Sequence, residues 1–248
     1  MITEDKPSDQ SEGNTNDSED ELPDLPTLEE ETCENAWWLT ALFPVSQNFF
    51  RDSVNKPFLE SKRRDVRVQF AQNYSNFDWE KGVFGDEHQI RLGKSKISMW
   101  GGINREQVLD LIIINEQLNP TNYIDLILEP IIKEQKKDIT FIHDAAIMHI
   151  SRRVRSWFKT NGINVLVLPG QSADFNIMEN VWCSFRTELE FMSYVKPTTH
   201  QQSLDLVKEA WSCVQALYSE SYLDELYKSM EKRLKLCVRK NGHLIYNK

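Results

Sequence analysis

The chain has 248 residues, 40% apolar and 27% charged, which suffices for one sizeable domain with a buried core. No apolar run approaches the length of a membrane span, and the N-terminus lacks the basic and apolar regions of a secretory leader. No membrane partner is expected, and the expected location is the cytosol or nucleus. The net charge of −9 is unevenly spread: residues 1–36 carry thirteen acids and one lysine (−12), which leaves 25 acids and 28 bases (+3) on the remainder. A mildly basic body tolerates a nucleic-acid backbone.

Residues 1–36 are rich in Asp, Glu, Ser, Pro and Asn and show no apolar periodicity, so they are expected to be a disordered acidic tail. The tail's partner is not legible. Residues 37–78 read as a helical lead-in: Trp37, Trp38, Leu39, Leu42 and Phe43 suit a short apolar helix. A second helix is expected over residues 58–74, with Leu59, Val66 and Phe70 inward and Lys62, Arg63, Arg64 and Arg67 outward. Residues 79–248 read as the main domain. Val83, Phe84 and Ile90 mark a strand around Asp86. Residues 94–103 predict a second strand ending in a Gly-Gly turn, and residues 108–115 a third. Together these form an antiparallel meander.

Ile124, Ile127, Leu128, Ile131 and Ile132 form one helical stripe, with Asn119 or Thr121 as cap and Pro130 as a kink. Residues 139–144 predict a short buried strand ending in Asp144. A helix follows, with a stripe of Ile150, Val154, Trp157 and Phe158, and Gly162 as its stop. Residues 164–168 predict a fifth strand, and residues 176–191 a helix with Val181, Trp182, Phe185 and Leu189 inward. Two further helices close the chain. Cys33, Cys183, Cys213 and Cys237 are scattered, and neither they nor the five histidines show metal-site spacing.

Three strands, a helix, a strand, a helix, a strand and a helix predict an α/β ribonuclease H-like fold. Its mixed five-stranded sheet has three antiparallel strands, then two parallel ones, with helices on both faces and a helical C-terminal extension. In that order the middle of the first strand lies beside the end of the fourth. The helix after the fifth strand starts at the same edge, so Asp86, Asp144 and Glu179 converge. Two Mg2+ (or Mn2+) ions about 4 Å apart activate a water or 3′-hydroxyl and stabilise the leaving oxygen in phosphodiester cleavage. Hard oxygen ligands suit them, and they relieve the mutual repulsion of three acids. The expected arrangement has Asp86 bridging both ions, with Asp144 and Glu179 each completing one. Each acid also has a plain reading: Asp144 as a helix cap, Glu179 as the far end of a capping box from Asn176, and Asp86 as an exposed or edge strand residue.

Several stretches resemble the DDE domain of Tc/mariner transposases. They are Trp79 to Glu87, the Met-Trp-Gly-Gly-Ile strand from Met99 to Ile103, the helix from Asn119 or Asn122, the strand and histidine from Phe141 to His149, and Leu168 to Trp182. The resemblance covers roughly residues 57–248, and the 34 residues between Asp144 and Glu179 are the family's own spacing. It implies that Asp86, Asp144 and Glu179 are a catalytic, metal-binding triad and that His149 lies near the site. It implies structural roles for Asn176 and Trp182. It also implies DNA as partner, a nuclear location, and metal-dependent strand cleavage and transfer.

Ala145, Ile147, Ala173 and Ile177 replace residues that usually shape the family's loops. Only 13 residues separate Asp86 from Trp100. In relatives a longer excursion there contacts DNA and the partner subunit, so a homodimer is expected to be weakened. The family's N-terminal helix-turn-helix region has no counterpart; the acidic tail stands in its place. The alternative is therefore a catalytically inactive, host-adopted or decaying remnant that binds DNA or protein. A ribonuclease H-type nuclease on RNA–DNA hybrids shares the fold logic but not the motifs.

Overall fold

The structure, a computed structural model, describes residues 59–135, 138–194 and 196–245. The expectations for residues 1–36 and for the apolar helix after them lie outside these. The elements are α1 (Ser61–Asn73), β1 (Gly82–Leu92), β2 (Ser95–Ile103), β3 (Ile112–Ile114), α2 (Pro120–Tyr123) running into a wider-turned segment (Ile124–Ile132), β4 (Thr140–His143), α3 (Arg152–Asn161), β5 (Asn164–Val167), α4 (Met178–Met192), α5 (His200–Leu217) and α6 (Glu220–Arg239).

The sheet order is β3-β2-β1-β4-β5, so β1 is the central strand. It pairs antiparallel with β2 and parallel with β4, and β5 continues parallel beyond β4. This is the expected mixed sheet. Side chains alternate between its faces. Phe84, Ile142 and Leu166 point into one core, shared with α1, α4, α5 and α6. Val83, Trp100 and Phe141 point into a second, shared with α2 and α3. Tyr227 of α6 clips the first core to the sheet, donating its hydroxyl towards the carbonyls of Gly82 (2.9 Å) and Ile103 (3.0 Å).

Several local expectations change. Gly101 and Gly102 lie inside β2 and make no turn there. Gly101 sits opposite Asp86, and a Cβ on it would come within 2.6 Å of Trp211 and 2.9 Å of Trp182. Two indoles occupy the space a side chain would take. The third strand is shorter than expected: Val108 makes only an isolated bridge with Ile103 before Ile112–Ile114 pairs with β2. Asn119 caps α2 in a reciprocal box with Asn122. Pro130 lies within the π-type segment. There the bond from Lys133 N reaches back five residues to the Leu128 carbonyl, and the proline is accommodated by wider winding. Gly162 ends α3 in the left-handed conformation (φ 67°), as expected; Ile150 falls outside that helix and is exposed.

On α1 the expected orientation of two residues is reversed. Val66 is 52% exposed and Arg67 is fully buried. The guanidinium turns inward because it has a full set of acceptors. It reaches both Asp174 oxygens (2.7 and 2.5 Å), Ser172 Oγ (2.7 Å) and the Gly242 carbonyl (2.9 Å), and it lies 4.5 Å from the Phe175 ring centre. Asp174 Oδ2 also accepts from Ile245 N (3.0 Å), and Arg233 of α6 donates to the Asp174 carbonyl (2.9 Å) and to Asn180 Oδ1 (2.8 Å). One buried ion pair thus joins α1, the loop before α4, α6 and the C-terminal segment. Removing one partner leaves the other charge buried and unpaired. Arg67→Met is therefore expected to lower unfolding free energy by about 3–5 kcal/mol in urea titrations, whereas Lys62→Met on the exposed side changes it by less than about 0.5 kcal/mol.

Candidate active site

The parallel register of β1 and β4 pairs Gly82 with Thr140, Val83 with Phe141 and Phe84 with Ile142. Continued two residues, it brings Asp86 abreast of Asp144. Both follow, at a spacing of two, residues of the first core (Phe84 and Ile142), so both belong to that face of the sheet. The helix packed there through Val181, Trp182 and Phe185 is α4, and Glu179 lies in its first turn. The sequence order and the period of a strand therefore bring the three acids together.

Each plain alternative is removed. Asp86 is neither exposed nor on an edge: it is half-buried on the central strand. Its Oδ1 accepts from Glu87 N (3.0 Å) and its Oδ2 from Trp182 Nε1 (3.2 Å). Asp144 does not cap α3; Ser151 does, accepting from Val154 N. Asp144 Oδ1 accepts from Ala146 N (2.9 Å) and from His149 Nδ1 (2.8 Å), which leaves Oδ2 available. No capping box forms at α4: Asn176 accepts from Met178 N through its own side chain, and no side-chain cap comes from Glu179.

The electrostatics follow from burial and crowding. Burial, then the charges of Glu87, Glu179 and Asp144, push the Asp86 carboxyl up to about 8, against a smaller opposing effect of the Trp182 bond. Burial also raises Glu179, with Arg186 pulling the other way. Asp144 is lowered, chiefly by its bond to His149. Burial opposes charge on His149, yet the bonds and charges of Asp144 and Glu87 outweigh it and raise the imidazole to about 10.

Sequence reasoning missed three neighbours of the acids. Glu87 accepts from His149 Nε2 (3.1 Å), so His149 is held between two carboxylates with the Tyr123 ring over it, the centroids 4.7 Å apart. The Asp-Glu pair and the histidine were visible as motif, but nothing in the sequence says that they touch. Trp182, expected to be structural, bonds Asp86 directly and stacks on His88 at 4.8 Å. Arg186 is the cation whose charge reaches Glu179 and His88; its spacing of seven from Glu179, two turns along one helix face, was the available signal.

The donor set fits a hard divalent cation. Three carboxylates share one sheet end, and their mutual repulsion is written into the raised Asp86. His143, Asp144 and His149 also bring ligand atoms within 4.8 Å of one another, a grouping the sequence spacing did not suggest. Both His149 nitrogens are already committed to carboxylates, however, so the carboxylate oxygens are the better ligands.

A central strand flanked by one antiparallel and one parallel neighbour, with acids at strand centre, strand end and helix start, defines a ribonuclease H-like fold. Residues 82–197 match the family described as DDE superfamily endonuclease. Among curated proteins, the chain is 26% identical over 218 residues to the transposable element Tc3 transposase of Caenorhabditis elegans, a match covering 76% of this chain and 65% of that protein. It is 22% identical over 228 residues to the Tc1 transposase of the same organism, covering 78% and 81%. The Mos1 transposase catalytic domain, in a structure with raltegravir and Mg, superposes with a TM-score of 0.61 at 19% identity, covering 77% of this chain and all of that one. The pre-cleavage Mos1 transpososome gives 0.61 at 16%, covering 96% and 83%. Residues 82–197 are thus similar to DDE superfamily endonucleases, and the chain as a whole to transposases of the Tc type. The match spans just under two thirds of the length of the Tc3 protein.

The raised Asp86 gives a pH signature in metal-free protein. The folded state holds this proton up to about pH 8, whereas an unfolded carboxyl releases it near 3.8. Its stabilising contribution is thus complete below about pH 4 and is lost as pH climbs through about 8. In EDTA, Asp86→Asn is expected to melt above the unmodified protein at pH 8, with the difference narrowing as pH falls towards 4.

Proposed function

We propose that Asp86, Asp144 and Glu179 are metal ligands and catalytic residues, and that the domain cleaves and joins DNA strands with two divalent ions, Mg2+ or Mn2+. The carrying observation is the convergence of three carboxylates from three elements at one end of the sheet, with Asp86 pushed to about 8 by burial and by the other acids. When bound, such ions neutralise charge at phosphorus and lower the pKa of an attacking water or 3′-hydroxyl. The protein's own groups do the positioning. Trp182 and the Glu87 amide orient the Asp86 carboxyl, and His149 and the Ala146 amide turn Asp144 Oδ2 outward. The Arg186 cation offsets part of the negative charge at Glu179. The Mg-containing Mos1 domain and the Mos1 transpososome support metal and DNA as ligands of this fold. A DNA substrate supports a nuclear location.

A second reading is a DNA- or protein-binding module without catalysis. One feature favours it: β1 and β2 are joined directly through Gly93 and Lys94. The excursion that the family resemblance puts there, and with it part of a homodimer interface, is missing from this hairpin.

The two readings separate in a thermal melt of the full chain against Mn2+ or Mg2+. A ligand specific for the folded state adds about 2.7 kcal/mol at a hundredfold excess over its Kd. The expected result is a metal-dependent rise that Asp144→Asn abolishes, together with metal-dependent nicking of supercoiled DNA that the same substitution lowers by at least about a hundredfold. A well-folded protein showing no shift up to millimolar metal supports the non-catalytic module.

A further inference from the structure

On the face of the sheet opposite Asp86, α3 does not fully cover the edge strand β5. Val165 and Val167 remain 37% and 36% exposed, and a cavity of about 290 Å³ opens between helix and strand. Its lining includes His143, His149, Arg155, Phe158, Lys159 and Val167. His149 belongs to both places: it walls the cavity and bonds Asp144. The groove therefore adjoins Asp144 through His149.

Two independent features call for an anion here. The first is the charge on α3. Arg152, Arg153 and Arg155 occupy its start with no acid in the first turn, where the helix dipole disfavours cations. The side chains of these arginines and of Lys159 make no ion pair or hydrogen bond among the described residues. Four unpaired cations in one short helix are unfavourable for folding alone. The second feature is His143. It is 1% exposed, packs in a cluster with the Phe141 (5.5 Å) and Phe158 (6.1 Å) rings, and its Nδ1 is buried with no partner. A ring nitrogen without a partner, on a residue that walls a cavity also lined by Arg155 and Lys159, is a cost that a ligand oxygen removes.

We propose that the groove between α3 and β5 is a second nucleic-acid site, which holds the sugar–phosphate backbone of DNA continuing past the three carboxylates. Arg155 and Lys159 take phosphates, His143 donates to a phosphate oxygen inside the cavity, and Val165 and Val167 face the sugars. Arg152 to Lys159 spans about 10 Å of helix, the axial rise of roughly three phosphates on one strand. The proposal rests on DNA being the substrate of the neighbouring acids and adds where the strand runs.

The test is fluorescence anisotropy of the full chain in EDTA with a labelled DNA duplex of about 30 base pairs, titrated at several salt concentrations. Arg155→Glu with Lys159→Glu is expected to weaken binding at least about tenfold and to flatten the slope of log K against log salt by about two. His143→Phe, which keeps the aromatic stack, is expected to weaken binding about threefold and leave the slope unchanged, as loss of one uncharged contact does. Lys62→Glu with Arg63→Glu on α1 makes the same charge change elsewhere and is expected to alter Kd by less than about threefold. Both charge-pair variants keep the manganese-dependent melting shift. Equal weakening by the two charge pairs overturns the proposal, as does tight binding by His143→Phe. An unmodified chain that shows the metal shift yet binds no duplex also overturns it. A chain that lacks the metal shift but shows the full binding pattern defeats the catalytic reading and leaves the groove standing.

Discussion

The parallel pairing of β1 with β4 in the middle of the sheet is the constraint on which the site depends. It is only three residue pairs long, yet its register decides which side chains stand side by side beyond its end. A slip of one residue would turn Asp144 to the α3 face, away from Asp86. The register is held by the side chains beneath the acids. Phe84 and Ile142 are fully buried in one core, Val83 and Phe141 in the other, so a slip of β4 would exchange Phe141 and Ile142 between two filled interiors.

The third acid depends on a different device. Glu179 is carried by α4, whose approach to the sheet is set by the loop containing Ser172 and Asp174. That loop is anchored by Arg67 from the start of the domain and Arg233 from its last helix. The ion pair has nearly every donor and acceptor satisfied, which is the condition under which burying two charges is tolerable. Its network draws segments distant in sequence around the helix that bears Glu179. Gly101 serves the same end by emptiness: without a side chain it admits the indole of Trp182, which then bonds Asp86.

The alternating apolar runs, the stripe on α4 and the punctuation at Gly162 were legible because each depends on neighbours within a few positions. The three acids were legible as a set because strand order implies adjacency. The inward turn of Arg67 was not, since its acceptors lie more than a hundred residues away, and a basic helix face normally looks outward. The Gly-Gly pair suggested a turn by local chemistry, while the tertiary structure uses its smallness inside a strand. Pro130 suggested a kink, and the helix widened its winding to hold it.

By itself, the sequence determined the ribonuclease H-like order of elements and the identity and spacing of Asp86, Asp144 and Glu179, because periodicity and turn residues are local properties. Only the tertiary structure decided what surrounds those acids: His149 held between Asp144 and Glu87, Trp182 on Asp86, Arg186 beside Glu179, and a basic groove on the far face. The physical reason is that pKa and hydrogen-bond partner are properties of an environment, and this environment is assembled from a central strand, a neighbouring strand end and a helix that meet only when the chain folds.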